Sequence, residues 1–204
     1  MESTLVQCKQ AVEHAISMYK AYNEIWLASP KSIKTVYQWQ KPPDGFVKMN
    51  VDEAIFEDIR KAGVGVVLRD ATGGVLMAAI KREDDVDEVA TIEALAILRG
   101  LQLCIPLGFR KLVIESDCLL LVQELQASSE PLANAGNIIA DVKQLLSRFQ
   151  EVQIQHVNRM GNSVAHALAR NAWNVVDISL WWDHLPSFLQ NFLWLDANSR
   201  MDDD

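Results

Sequence analysis

The chain has 204 residues, half of them hydrophobic, which suffices for one domain with a sizeable core and terminal extensions. Its net charge of −8 argues against tight binding of nucleic acid through a basic face alone. No run of about 18 apolar residues could span a membrane, the start lacks the pattern of a signal peptide, and the cysteines are too scattered for a disulfide framework. We therefore predict an intracellular protein, nuclear or cytoplasmic and not secreted.

An amphipathic helix is predicted near the beginning of the chain. Apolar residues recur with helical spacing from Leu5 to Tyr22, and the stripe carries nothing that suggests catalysis. Pro30 breaks this pattern. We assign residues 1–38 to an N-terminal helix and linker that packs or binds a protein partner, and we start the main domain at Trp39.

The first predicted strand runs from Phe46 to Ala54, where apolar and polar residues alternate. Asp52 falls on its polar face and is a carboxylate inside an element that otherwise looks structural. A second strand is predicted over Ala62–Arg69, and its two glycines favour close approach of another backbone over a dinucleotide loop, because no helix start follows them. A turn at Asp70–Gly74 and a strand at Val75–Ile80 complete an antiparallel meander.

An acidic run from Glu83 to Glu88 favours a solvated loop before a helix over a metal site. The helix that follows, to about Leu103, is predicted to place Glu93 on the same inward stripe as Ile97 and Leu101. A salt bridge to a buried basic group would be the structural explanation for Glu93, but no Lys or Arg shares its stripe.

Asp117 ends the next predicted strand, Lys111–Ser116, which should run parallel to the first strand because a helix connects them. The carboxyl ends of such strands are where α/β sheets place their ligands. Asp117 could also cap a helix that starts near Cys118. The remaining predicted elements are helices over Leu119–Gln126 and Asn134–Phe149, a strand over Val152–Val157 and a helix over Ser163–Trp173.

If Asp52, Glu93 and Asp117 meet, their mutual repulsion must be offset. A like-charged pair about 4 Å apart costs roughly 4 kcal/mol at an effective dielectric constant of 20. A bound divalent cation would offset that repulsion.

The order of these elements resembles the type 1 ribonuclease H fold, an α/β fold with a five-stranded mixed sheet, antiparallel meander plus parallel strands, flanked by helices. Four motifs are similar to the plant reverse-transcriptase-like RNase H domains, which are related to retroelement polyproteins. They are Trp39-x-x-Pro42-Pro43-x-Gly45-x-x-Lys48-x-Asn50-x-Asp52, Gly63-x-Gly65-x-x-x-Arg69-Asp70, Ile114-Glu-Ser-Asp117, and His156-Val-x-Arg159-x-x-Asn162-x-x-Ala165-His166-x-Leu168-Ala169. The resemblance covers residues 39–173.

The resemblance implies endonucleolytic cleavage of the RNA strand of RNA/DNA hybrids. It implies that Asp52, Glu93 and Asp117 are catalytic and hold two Mg²⁺ ions, with Mn²⁺ as a possible substitute. The family's fourth metal-binding position, usually Asp, falls on His166. This residue is assigned as a catalytic metal ligand too, with a surface helix histidine as the alternative, and an imidazole ligand would favour Mn²⁺ over Mg²⁺.

Two positions depart from the family pattern. Glu53 stands where the family usually has glycine, and the loop before Asn162 is too short to carry the histidine of classical RNases H. Glu53, Ala54 and Asn162 are assigned as substrate contacts. The departures leave open a second function, that of a domesticated, non-catalytic domain that binds nucleic acid or a protein partner.

The C-terminal extension, residues 174–204, is rich in apolar and aromatic residues. From Trp173 onward the chain has one Arg against six Asp, and this negative charge argues against stacking on nucleic acid bases. Pro186 is suited to a helix start. We predict that the extension packs against the domain or a protein partner.

Overall fold

The computed structural model describes residues 39–84, 89–127 and 136–198. The predicted N-terminal helix and part of the acidic run after Asp84 lie outside these residues. The described elements are β1 (Val47–Phe56), β2 (Lys61–Arg69), β3 (Val75–Asp84), α1 (Val89–Cys104), β4 (Lys111–Ser116), α2 (Leu119–Gln126), α3 (Gly136–Leu146), β5 (Glu151–His156), α4 (Ser163–Asn171), β6 (Ile178–Trp181) and α5 (Gln190–Asn198).

The strands form one mixed sheet in the order β5-β4-β1-β2-β3-β6. β1, β2 and β3 are the predicted antiparallel meander, and β4 lies parallel to both β1 and β5. The predicted fold class is confirmed, but the prediction of five strands is wrong by one. The sixth strand comes from the C-terminal extension, where residues 178–181 pair with residues 78–81 of β3 and cover an edge whose backbone groups would otherwise be unpaired.

β3 is longer than its apolar pattern predicts. It continues to Asp84, so Glu83 and Asp84 belong to the strand and not to a solvated loop. Glu83 is held there by Arg99 of α1, whose Nε lies 2.6 Å from the carboxylate Oε1. Tertiary pairing with α1 and β2 therefore extends the strand beyond the point where its sequence turns polar.

Apolar side chains cover both faces of the sheet. On one face Met49 and Val51 of β1 pack with Ile97 and Leu101 of α1. On the other face α4 and the C-terminal extension pack against β2 and β3, and Leu189 of the extension is fully buried. The extension thus packs against the domain. Among the described helices, none is long and apolar enough to cross a membrane.

Two glycines of β2 let α4 lie directly on the sheet. A Cβ atom added at Gly65 would come within 2.2 Å of the backbone oxygen of Ala165, and one at Gly63 would come equally close to that of Ala169, at 2.2 Å. The interpretation of these glycines as a close backbone approach is confirmed. Because Gly65 pairs with Asp52 in the sheet, the same close approach brings the start of α4 beside Asp52.

Candidate active site

Acidic side chains from three elements meet at one edge of the sheet. Asp52 and Glu53 lie on β1, Glu93 on α1, and Asp117 directly follows β4. The parallel pairing of β1 with β4 ends at Asn50 and Glu115, so β1 continues past the end of β4. Asp117 therefore stands at the point where the side chains of both Asp52 and Glu53 can reach it.

Asp52 is almost completely buried, with 3% of its surface exposed. Its pKa is raised from 3.8 to about 9, mainly by burial and in addition by the negative charges of Asp117 and Glu53. Its side chain is hydrogen-bonded to that of Asp117. At neutral pH this carboxyl group therefore holds a proton in the cation-free protein.

Glu93 and Glu53 form a second carboxyl pair. Burial, followed by the charge of Glu53, raises the pKa of Glu93 to about 8, and the two side chains are hydrogen-bonded to each other. Burial and the charge of Asp117 raise the pKa of Glu53 as well. The thiol of Cys118 donates a hydrogen bond to Glu93. Oε2 of Glu93 is buried and has no hydrogen-bond partner.

This arrangement fits a divalent cation chemically. Four carboxyl groups supply the oxygen ligands that Mg²⁺ and Mn²⁺ prefer, and the orphaned Oε2 of Glu93 gives one of them an unfilled place. In the cation-free protein, protons on these carboxyl groups reduce the mutual repulsion that a cation would offset when bound. Within residues 39–84, 89–127 and 136–198, no group of three or more His, Cys, Asp or Glu side chains is arranged so that it could hold a metal ion.

His166, on α4, contacts Asp52 from the face of β1 opposite to α1. Its Nδ1 lies 2.6 Å from Oδ2 of Asp52, and its Nε2 lies 3.0 Å from Nη2 of Arg159. The same Nη2 lies 3.4 Å from Nδ1, so the guanidinium group packs against the ring and is not in line with the lone pair of either nitrogen. Burial, then the charges of Arg159 and Arg170, lower the pKa of His166, in agreement with a neutral ring.

A buried polar network lies beneath α4, next to the acids. Lys48 Nζ contacts Oε1 of Glu115 at 2.5 Å, and Asn50 donates from Nδ2 to Oε2 of the same carboxylate at 2.9 Å. Trp39 donates from its indole nitrogen to Oδ1 of Asn50 at 2.9 Å. These residues belong to the sequence motifs. The network explains why polar residues occupy the face of β1 that lies toward α4.

Asn162 connects this network to α4. Its side-chain amide donates to the backbone oxygen of Val51 at 2.8 Å and its Oδ1 accepts from Asn50 at 3.2 Å. Asn162 is 1% exposed. The predicted substrate contact at Asn162 is thus placed inside the protein, where it fixes the start of the helix that carries His166.

The structure brings Asp52, Glu93, Asp117 and His166 together, and it adds Glu53 to the carboxyl cluster. Ala54, the third predicted substrate contact, follows on β1 and is half-buried. Asp117 does not cap α2, whose N-cap is Cys118. Sequence reasoning missed Arg159, although it stands in the last motif, three residues before Asn162.

The sequence matches a known protein family. The sequence model of the reverse transcriptase-like family matches residues 50–172. A search of curated proteins finds no match.

Solved structures of RNases H share the fold. RNase H1 from the archaeon Halobacterium salinarum NRC-1 superposes with a TM-score of 0.58 at 24% identity, over 63% of this chain and 98% of that one. The N-terminal RNase H domain of a Mycobacterium tuberculosis protein gives a TM-score of 0.58 at 21% identity, over 63% and 94%. LC11-RNase H1, isolated from compost and solved with an RNA/DNA hybrid, gives 0.56 at 19% identity, over 63% and 96%.

Proposed function

This chain belongs to the reverse transcriptase-like family, and from that premise we propose that it is an endonuclease that cleaves the RNA strand of RNA/DNA hybrids with the help of divalent cations. The observation that carries the proposal is the convergence of four carboxyl groups at the edge where β1 passes the end of β4. A solved structure with the same fold holds such a hybrid, which supports this substrate class.

Asp52, Glu93 and Asp117 would hold the cations, because their side chains are close enough to be hydrogen-bonded or to perturb one another's charge. Two bound Mg²⁺ or Mn²⁺ ions would provide a deprotonated water for attack on the phosphodiester and would stabilise the leaving oxygen. To bind them, Asp52 and Glu93 must each release a proton. The exposed guanidinium group of Arg159 lies beside the acids and can donate to a phosphate of the hybrid.

His166 has two possible roles within this proposal. As a ligand in the family's fourth position, its nitrogen would favour Mn²⁺, and His166→Asp would raise cleavage with Mg²⁺. As a donor to Asp52, it would orient that carboxylate and leave the preference between the two ions unchanged.

A second candidate function is binding without cleavage. The observation that favours it is that the raised pKa values of Asp52 and Glu93 and the contact of His166 with Asp52 allow protons to offset the repulsion among the acids without a cation. In that case a hybrid, another nucleic acid or a protein partner would be bound and released intact.

One assay separates these functions. Purified protein is incubated with a labelled RNA/DNA hybrid in Mg²⁺ and, separately, in Mn²⁺, beside the variant Asp117→Asn and beside labelled duplex DNA. The proposal expects internal cuts in the RNA strand only, dependent on the ion and absent in Asp117→Asn. Binding of the hybrid by the parent without any cleavage in either ion would favour the second candidate.

A further inference from the structure

We infer that Glu53 supplies the fourth carboxylate of the cation site, and that His166 is a positioning residue which orients Asp52 and does not bind the ion. The inference deepens the proposed function and rests on its cation site. It assigns Glu53 a role different from the substrate contact that its sequence position suggests.

The first argument is the position of Glu53. It pairs in register with Val64, which packs on the α1 face, so its side chain lies on the side of β1 from which Glu93 approaches. Its carboxyl group is hydrogen-bonded to that of Glu93 and lies within electrostatic reach of Asp117. A cation held by Glu93 and Asp117 would therefore have Glu53 as an immediate neighbour.

The second argument is the orphaned oxygen of Glu93. Oε2 is shielded from solvent and has no hydrogen-bond partner, although the same carboxyl group is bonded to Glu53 and to the thiol of Cys118. Buried polar atoms without a partner are uncommon and call for an explanation. An ion between the carboxyl groups of Glu53 and Glu93 would provide the missing partner.

The third argument concerns the surroundings of His166. Its Nδ1 lies 2.6 Å from Oδ2 of Asp52, and Nη2 of Arg159 lies 3.0 Å from Nε2 and 3.4 Å from Nδ1, so the guanidinium group packs against the ring. A histidine that binds a metal directs the lone pair of one nitrogen at the ion while its other nitrogen donates to a second group. Here the nitrogen nearest the acids is engaged by a carboxyl group of the site itself, and a positive charge lies against the ring.

The fourth argument is the distribution of charge. The positive charges of Arg159 and Arg170 both act on His166, whereas Glu53 is reached by the charge of Arg159 and stands beside the carboxyl groups of Glu93 and Asp117. A divalent cation is repelled by guanidinium groups and attracted by carboxylates. The ion therefore belongs nearer to Glu53 and Glu93 than to His166.

The two assignments differ in the atoms that they place around the ion. Glu53 as fourth ligand makes all the protein ligands oxygen, which suits Mg²⁺ and Mn²⁺ alike. His166 as fourth ligand would put one nitrogen on the ion. Mn²⁺ is paramagnetic, so an imidazole nitrogen bound to it can be detected directly, without any measurement of cleavage.

The experiment uses the full chain with Mn²⁺ as the probe. Mn²⁺ affinity is measured by calorimetry and directly bound nitrogen by pulsed electron paramagnetic resonance, in the parent, Glu53→Gln and His166→Gln. Asp183→Asn removes an exposed carboxylate of the extension and serves as the charge-matched control. We expect Glu53→Gln to weaken Mn²⁺ binding by about tenfold or more, Asp183→Asn to leave it unchanged, and the parent to show no nitrogen bound to the ion.

Unchanged affinity in Glu53→Gln, or a nitrogen signal that disappears in His166→Gln, would overturn the inference and leave the proposed function standing. Mn²⁺ binding that depends on Glu53 in a protein that never cleaves a hybrid would contradict the proposed function alone. A parent that binds no Mn²⁺ at all would overturn both.

Discussion

Two groups of buried charges lie on β1, one near its beginning and one toward its end, and they are compensated differently. Near the beginning, Lys48 is paired with Glu115 and bonded to the backbone oxygen of Gln40. On the neighbouring strand, Arg69 is paired with Asp196 of the extension at 2.8 Å and stacks on Trp39. These charges are matched by partners inside the protein.

Toward the end of β1, acidic side chains accumulate instead. Asp52, Glu53 and Glu93 all have raised pKa values because burial and like charges oppose their ionisation. The comparison teaches that a buried charge with a matching partner is a structural feature, whereas buried like charges that depend on protons for compensation favour the binding of a ligand.

The largest effect is expected when the buried pair of Lys48 and Glu115 is broken. Lys48→Met leaves the carboxylate of Glu115 buried, 5% exposed as a residue, without its counter-charge. Removal of one partner from a buried ion pair costs roughly 3–5 kcal/mol of unfolding free energy. Urea denaturation measures this loss. A loss of unfolding free energy below about 1 kcal/mol, which is the range of exposed ion pairs, would mean that the buried pair does not stabilise the fold as we describe.

The second prediction concerns how the stability of the cation-free protein depends on pH through Asp52 and Glu93. The folded-state pKa values of Asp52 and Glu93, about 9 and about 8, lie above the ordinary values of 3.8 and 4.5. The folded state therefore binds more protons than the unfolded chain between these limits, so the stability from these protons is complete below about pH 4 and is lost as the pH rises through 8 to 9.

Melting temperatures in a chelator, from pH 6 to pH 9.5, test this direction. Asp52→Asn, which cannot ionise, should lose less stability than the parent over that interval. If the melting temperatures of parent and variant fall equally with rising pH, the raised pKa of Asp52 is contradicted.

A third effect links these protons to the cation. At pH 7 Asp52 and Glu93 are protonated, so binding of Mg²⁺ should release about two protons, and affinity should increase as the pH rises toward 9. Calorimetry in two buffers of different ionisation enthalpy counts the protons released. Binding without proton release would place the ion away from these acids.

The smallest expected effect comes from an exposed pair. Lys111 of β4 and Glu151 of β5 are 2.9 Å apart, but their side chains are 38% and 47% exposed. Such pairs contribute at most about 1 kcal/mol. Lys111→Ala should therefore change the urea midpoint far less than Lys48→Met does, and an equal loss would mean that burial is not what distinguishes the matched pair.

Much of the fold could be predicted because its cues are local. The alternation of apolar and polar residues predicted β1 and the meander, and the apolar stripe of α1 predicted that Glu93 faces the sheet. The place of Glu53 in the carboxyl cluster could not be predicted, since alternation puts it on the face opposite Asp52. Only the end of β4, which leaves Asp117 within reach of both faces, brings the two side chains into one cluster.

Other features depend on contacts between distant residues. β6 has four residues, too few for a periodic pattern, and it is a strand because the edge of β3 is available. Helical spacing places His166 on the same helix face as Asn162, but it cannot tell that Nδ1 contacts Asp52 and that Arg159 packs against the ring.

The central claim is that the edge formed by Asp52, Glu53, Glu93 and Asp117 holds divalent cations. A ligand that binds only the folded state raises its stability according to the ratio of its concentration to the dissociation constant. The most direct test is the melting temperature of the parent and of Asp52→Asn at increasing Mg²⁺ concentration. We predict that the melting temperature of the parent rises and that the rise disappears in Asp52→Asn. An equal rise in both proteins would contradict the claim and place the ion elsewhere in the chain.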